Sequence, residues 1–197
     1  MQSSTPAPGA TALDPDEAQG LLPGHIHTQT DLNMWEEANI LEGQRWLLRQ
    51  VKSGKRPLLQ EDFLRELHRR MFDQTWQWAG QFRRSDKNIG VEWPHIATRL
   101  RNLLDNTQFQ IQANAFTPDE QAIRFHHQLV WIHPFPNGNG RHARLMADAL
   151  IMHLGQARFT WGQTPLEAEG GARANYLAAL READQGNYAR LIAFSRQ

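Results

Sequence analysis

The stretch His133-Pro-Phe-Pro-Asn-Gly-Asn-Gly-Arg-His-Ala-Arg144 gathers an imidazole, a glycine-rich turn and two arginines into one short run. It falls between two strongly patterned segments, 117–131 and about 139–154, so the spacing predicts a tight bend leading into a helix. A helix start carries unpaired N–H groups and the positive end of the helix dipole, and both attract anions. Gly138 and Gly140 lack a Cβ, which lets backbone amides approach phosphate oxygens closely and form an anion nest. Asn139 adds a neutral donor. Arg141 and Arg144, three apart, share a helix face and can neutralise phosphates through forked hydrogen bonds. His133, titrating near neutrality, can take a proton from an attacking hydroxyl. A glycine turn beside solvated arginines would contain the same residues singly. Their joint phase points instead to phosphate chemistry.

The rest of the chain bounds that reading. A length of 197 residues suits one full-sized domain. Lys+Arg and Asp+Glu are equal at 21 each, so no overall basic field argues for nucleic acid or an anionic membrane as partner. Cysteine is absent, which removes disulfides, thiolate nucleophiles and sulfur-ligated metals together. His126, His127 and His133 could be read as a metal set, but without a His-Glu-x-x-His run zinc hydrolysis is disfavoured. No apolar run approaches membrane-spanning length and no secretory signal opens the chain, so the expected location is cytoplasmic.

Along the chain, residues 1–22 are poor in large apolar groups and read as a mobile tail, leaving 23–197 as a single domain. Helical periodicity covers 31–52, 60–75, 96–112, 117–131, 139–154 and 172–183. Thr117-Pro-Asp-Glu120 carries the pattern of a capping box, with proline at the first helical position. A short element is expected at 164–168, and Asn187 is expected to cap a last helix holding Leu191, Ile192 and Phe194. Between Phe82 and His95, turn formers and β-branched residues replace the helical period, and a short β-hairpin is predicted. Gly43 interrupts a helical pattern at a cost of about 1 kcal/mol relative to alanine, which suggests a close approach there.

The 133–144 run resembles the signature loop of the Fic/Doc family, His-Pro-Phe-x-Asp/Glu-Gly-Asn-Gly-Arg-x-x-Arg. Phe63-Leu-Arg-Glu-Leu-His68, Trp78-Ala-Gly80, Leu129-Val-Trp-Ile132 and Arg173-x-x-Tyr176…Ala183-Asp184 also look like landmarks of that family. Among its branches the chain looks most like mobile mystery protein B. The resemblance implies a mainly α Fic-type fold with a short β-hairpin flap beside the active-site loop. It implies transfer of AMP from ATP to a Ser, Thr or Tyr hydroxyl of an unknown target protein. His133 would be the base, and Gly138, Asn139, Gly140, Arg141 and Arg144 would hold the nucleotide. The flap, placed at Ser85, Asp86, Lys87, Asn88, Ile89, Gly90 and Val91, would align the target by strand addition. The residues by themselves do not single out the α-phosphate.

Two departures matter. Asn137 stands where the family carries a carboxylate, so Mg2+ (or Mn2+) is expected to bind weakly through a neutral amide oxygen and the nucleotide phosphates. Ala38-Asn-Ile-Leu-Glu42-Gly43 matches the Glu-Gly of the family's inhibitory helix but lacks its hydroxyl. An ion pair from Glu42 to Arg144 is the corresponding expectation, set evenly against a solvated surface glutamate. The alternatives are transfer of another nucleotide or phosphate group, removal of AMP, or an impaired Fic-fold binding protein with a regulatory or antitoxin-like partner.

Overall fold

A computed structural model describes residues 14–26, 28–163 and 171–197 of the chain. Its helices are α1 (Pro15–Ala18), α2 (Gln29–Ser53), α3 (Glu61–Phe72), α4 (Ile96–Gln112), α5 (Pro118–Ile132), α6 (Asn139–His153), α7 (Gly171–Asp184) and α8 (Ala189–Ser195). The helices expected from periodicity are present with their ends moved by a few residues. The element expected at 164–168 lies outside the described residues.

α6 is the central helix. Its residues from His142 to Ile151 are almost all buried, apart from the half-buried Arg144, and it packs against α5, α2 and α3. A helix with apolar residues on nearly every side needs cover on nearly every side. The sequence supplies that cover through Leu47 on α2, Phe63, Leu64, Leu67 and Met71 on α3, and Ile123, Phe125 and Leu129 on α5. The α2–α3 pair explains Gly43. A Cβ there would stand 2.8 Å from Met71 Cγ and 3.0 Å from the Met71 backbone, so the helices meet at a distance only glycine allows.

The caps follow the sequence in part. Thr117 Oγ1 accepts from Glu120 N–H at 3.3 Å, but the Glu120 carboxylate turns to Arg124 at 2.9 Å instead of closing a capping box. Asn187 sits one place before the cap position of α8, and its side chain accepts from Ala189 N–H at 3.2 Å. No helix among the described residues is long and apolar enough to cross a membrane.

One expectation is corrected. The hairpin is not formed: among the described residues the only β pairing is an isolated bridge between Leu21 and Trp76, and 82–92 is an irregular loop. The physical reason is Arg83. Its buried guanidinium donates to the carbonyls of Ser85 (2.8 Å), Val91 and His133 (2.7 Å), so side-chain donors hold loop carbonyls that a strand ladder would have used. Part of the segment read as a mobile tail lies within the described residues. Residues 14–22 form a helical turn and an extended piece, with Leu22 N–H on Thr75 O and Gln77 N–H on Gly20 O, each at 2.9 Å.

Candidate active site

The helical run of α5 ends at His133, which adopts the left-handed conformation (φ 55°, ψ 59°) and donates its N–H to Leu129 O. Such a residue reverses the chain direction at a helix end. Gly138, also left-handed at φ 75°, then starts α6. A Cβ on Gly138 would lie 2.5 Å from the Phe72 ring, so this glycine is demanded by both conformation and packing. Gly140 differs. The nearest atom to its missing Cβ is Arg144 Nη1 at 3.8 Å, which leaves the face of the helix start beside Arg144 open.

The loop between these residues is held from below. Phe135 is fully buried and stacks on His68 at 3.7 Å between ring centres. His68 accepts from Gly80 N–H (3.0 Å) at Nδ1 and donates from Nε2 to Asn137 O (3.1 Å), which fixes its tautomer. Burial, with His142 and Arg141 nearby, keeps its pKa well below the ordinary value, so it serves as a neutral strut. His142, given no role from the sequence, is buried and donates to Leu64 O at 2.9 Å.

Asn139 has a role in the loop that the sequence does not disclose. Its side-chain oxygen accepts from Phe135 N–H (2.9 Å) and its amide donates to Phe135 O (2.8 Å), so the side chain is consumed in clamping the loop. Asn137 is likewise engaged: its Oδ1 accepts from Gly138 N–H at 2.5 Å and faces Arg141 Nη2 at 3.5 Å. A neutral oxygen already turned to N–H donors is a poor fit for Mg2+, which favours anionic oxygens. Among the described residues no group of three His, Cys, Asp or Glu side chains could hold a metal ion. His126 Nε2 pairs with Tyr176 Oη (2.9 Å) and His127 Nε2 with Asp184 Oδ1 (2.8 Å), which ties the C-terminal landmarks to α5, while His126 Nδ1 is buried without a hydrogen-bond partner among the described residues.

His133 is 4 % exposed. Gly90 closes over it, since a Cβ on Gly90 would lie 2.6 Å from His133 Cβ. Burial lowers the pKa of His133 to about 4, opposed by the Val130 carbonyl and reinforced by Arg83 and Lys87. The ring is therefore neutral at cellular pH, as a base must be, but weaker than the near-neutral histidine expected. Arg83 holds the loop that carries Gly90 through the carbonyls of Ser85 and Val91.

Arg141 and Arg144 of α6 have partners the sequence does not disclose. Arg141 lies over the Phe72 ring and donates to Glu36 Oε2 at 2.6 Å. Glu36 is buried and its other oxygen accepts from Trp76 Nε1 at 2.7 Å. Arg144 lies over the Tyr176 ring at 5.9 Å. The ion pair expected from Glu42 to Arg144 is not made: Glu42 is exposed on α2 and pairs with Arg45 one turn along. A carboxylate of α2 does reach the signature helix, but it is Glu36 and it meets the first arginine. No local sequence signal marks Glu36 or Arg83.

The turn thus brings a covered histidine, a glycine-opened helix start and two arginines into one short stretch, the arrangement for which the sequence resembles the Fic/Doc signature loop. Residues 58–151 match the Fic/DOC family model, so this segment is a Fic domain and the chain belongs to that family over it. Over 133 residues the chain is 31% identical to the protein adenylyltransferase Fic of Aedes aegypti, covering 66% of this chain and 25% of that relative. The chain thus spans about a quarter of the length of the curated relatives it matches. The Fic-1 fragment from C. elegans superposes with a TM-score of 0.65 at 25% identity, covering 91% of this chain and 51% of that one. The N-terminal Fic domain of a putative cell filamentation protein from Bartonella quintana gives 0.69 at 17% identity, covering 91% of each, which speaks to the fold alone.

Proposed function

We infer that the chain transfers AMP from ATP to a hydroxyl of a target protein. The observation that carries this reading is the joint placement of His133, the open face at Gly140 and the two arginines on one turn, within a Fic domain whose relatives bear the name adenylyltransferase. The β- and γ-phosphates take the start of α6, with Arg141 and Arg144 supplying forked donors. An α-phosphate leading out of that cradle faces the His133 end of the turn. The imidazole takes the proton of the incoming Ser, Thr or Tyr hydroxyl, a new P–O bond forms, and pyrophosphate leaves with its charge already neutralised. Magnesium would be held mainly by the nucleotide phosphates and would supply further charge neutralisation there, since the Asn137 amide oxygen, turned to N–H donors, is a poor ligand for it.

For this chemistry the lid at Gly90 must lift from His133, which also restores solvent to the ring and moves its pKa toward neutrality. Glu36 must share or release Arg141. Both features support a restrained resting state. The test uses ATP labelled at the α- or γ-phosphate with a mixture of candidate proteins. Label from the α-position, lost in His133→Ala, is expected; label from the γ-position alone would show phosphate transfer instead.

A further inference from the structure

Lysine is almost never buried without a partner. The Lys87 side chain is 3 % exposed, and its ammonium lies 2.8 Å from Asp14 Oδ2 and 2.5 Å from Glu17 Oε2. Ser85 Oγ donates to the same Asp14 oxygen at 2.5 Å. Two carboxylates, three residues apart on one helical turn, thus occupy the two flap side chains that can recognise an anion by hydroxyl and ammonium. The bonds from Lys87 and Ser85 hold the Asp14 carboxyl below its usual range.

The occupying segment is held in an exchangeable way. α1 is a single turn with no buried residue, so apolar packing does not anchor it. Its other ties are hydrogen bonds: Trp78 Nε1 to Glu17 O at 3.0 Å, and the two backbone bonds that pin Gly20 and Leu22 to Gln77 and Thr75. Beside it runs a groove of about 550 Å³, bounded by Glu17, Trp78, Phe82, Arg84 and Pro136, that continues from the flap toward the active-site loop.

We propose that the Ser85–Lys87 side of the flap is a docking site for acidic segments of target proteins, with Asp14 and Glu17 as its resident occupant. This rests on the reading of the flap as the target-aligning part of a transferase. The chemistry it selects is a pair of carboxylates at the spacing of Asp14 and Glu17. The chain's own strap is a competitor that a better-matched acidic target displaces, exchanging one set of charge-assisted bonds for another. The same flap carries Gly90 over His133, so a target seated on Ser85 and Lys87 engages the element that covers the base.

The test measures binding without ATP. A fluorescent peptide matching residues 12–24 is titrated by anisotropy into the full chain carrying Asp14→Ala and Glu17→Ala, whose own strap no longer competes. Binding is expected to weaken on the order of tenfold when the peptide carries the same two alanines, and equally when Lys87→Ala is added to the chain. Equal affinity for the two peptides, or indifference to Lys87→Ala, overturns the proposal. Should the doubly substituted chain fail to fold, the wild-type chain gives the answer through hydrogen exchange of the Leu22 amide. The acidic peptide is expected to speed it and the alanine peptide to leave it unchanged; no difference between them is fatal. Because no nucleotide is present, absence of AMP transfer would sink the transferase reading without touching this result.

Discussion

Replacing Glu36 by glutamine separates what Glu36 does for the fold from what it does to the site. The carboxylate is 7 % exposed, lies 2.6 Å from Arg141 Nη1 and accepts from Trp76 Nε1 at 2.7 Å. Glutamine keeps an acceptor for Trp76 but sets a neutral amide against the guanidinium. Breaking a buried ion pair costs about 3–5 kcal/mol. The Arg141 side chain retains 22 % exposure, so water recovers part of the loss, and we expect about 1–2 kcal/mol. For a chain of this length that is a fall in Tm of roughly 2–8 °C. Arg141 at the same time loses its competitor for phosphate. The affinity for a non-hydrolysable ATP analogue is expected to rise, on the order of tenfold if about 1.4 kcal/mol of pairing is released. Urea unfolding followed by far-ultraviolet circular dichroism reads the first quantity and titration calorimetry the second. An unchanged stability refutes the pair. Lost stability with unchanged analogue affinity refutes Arg141 as a phosphate ligand.

Gly43→Ala, which in an unpacked helix would stabilise by about 1 kcal/mol, is expected to destabilise by about 1–3 kcal/mol because its Cβ meets Met71, as urea unfolding would show. Asn139→Ala removes both bonds to Phe135 and leaves two buried backbone groups unpaired, so a loss of about 2–4 kcal/mol is expected, with faster hydrogen exchange at the Phe135 amide. Burial lowers the pKa of His133 and His142 to about 4 and that of His126 to about 3. Folded values below the unfolded value mean that the unfolded chain binds more protons. The contribution of these rings is therefore present above about pH 6.5 and is lost as the pH falls toward 4. Asp148, whose pKa burial raises to about 6, acts in the opposite sense and offsets part of this. Between pH 7 and pH 5 a net loss on the order of 4 kcal/mol is expected from these four groups, and stability that stays flat over that interval would contradict the burial of the rings.

The helices are legible in the sequence because their signals are local. The apolar period of α5 and α6, the proline and acids after Thr117, and the glycines of the turn each act within a few residues of where they stand. Gly43 is an intermediate case: the interruption is visible, but its cause, the backbone of Met71 on the next helix, is not. The flap escapes a local reading because its turn formers and β-branched residues suit a hairpin equally well. Nothing near Arg83 in the sequence says that its guanidinium takes the carbonyls of Ser85, Val91 and His133. Glu36 is hidden for a similar reason, since its partners Trp76 and Arg141 are distant in the chain and a glutamate on a helix is usually only solvated. Glu42 stands out through the glycine after it, yet that glycine answers to helix packing.

Mass spectrometry of proteins incubated with ATP and the wild-type chain, the Glu36→Gln variant or the His133→Ala variant observes the transfer itself. AMP is expected on Ser, Thr or Tyr side chains, more of it with Glu36→Gln and none with His133→Ala. Modification that persists without the imidazole, or that fails to appear in all three reactions, would contradict a His133-driven transfer.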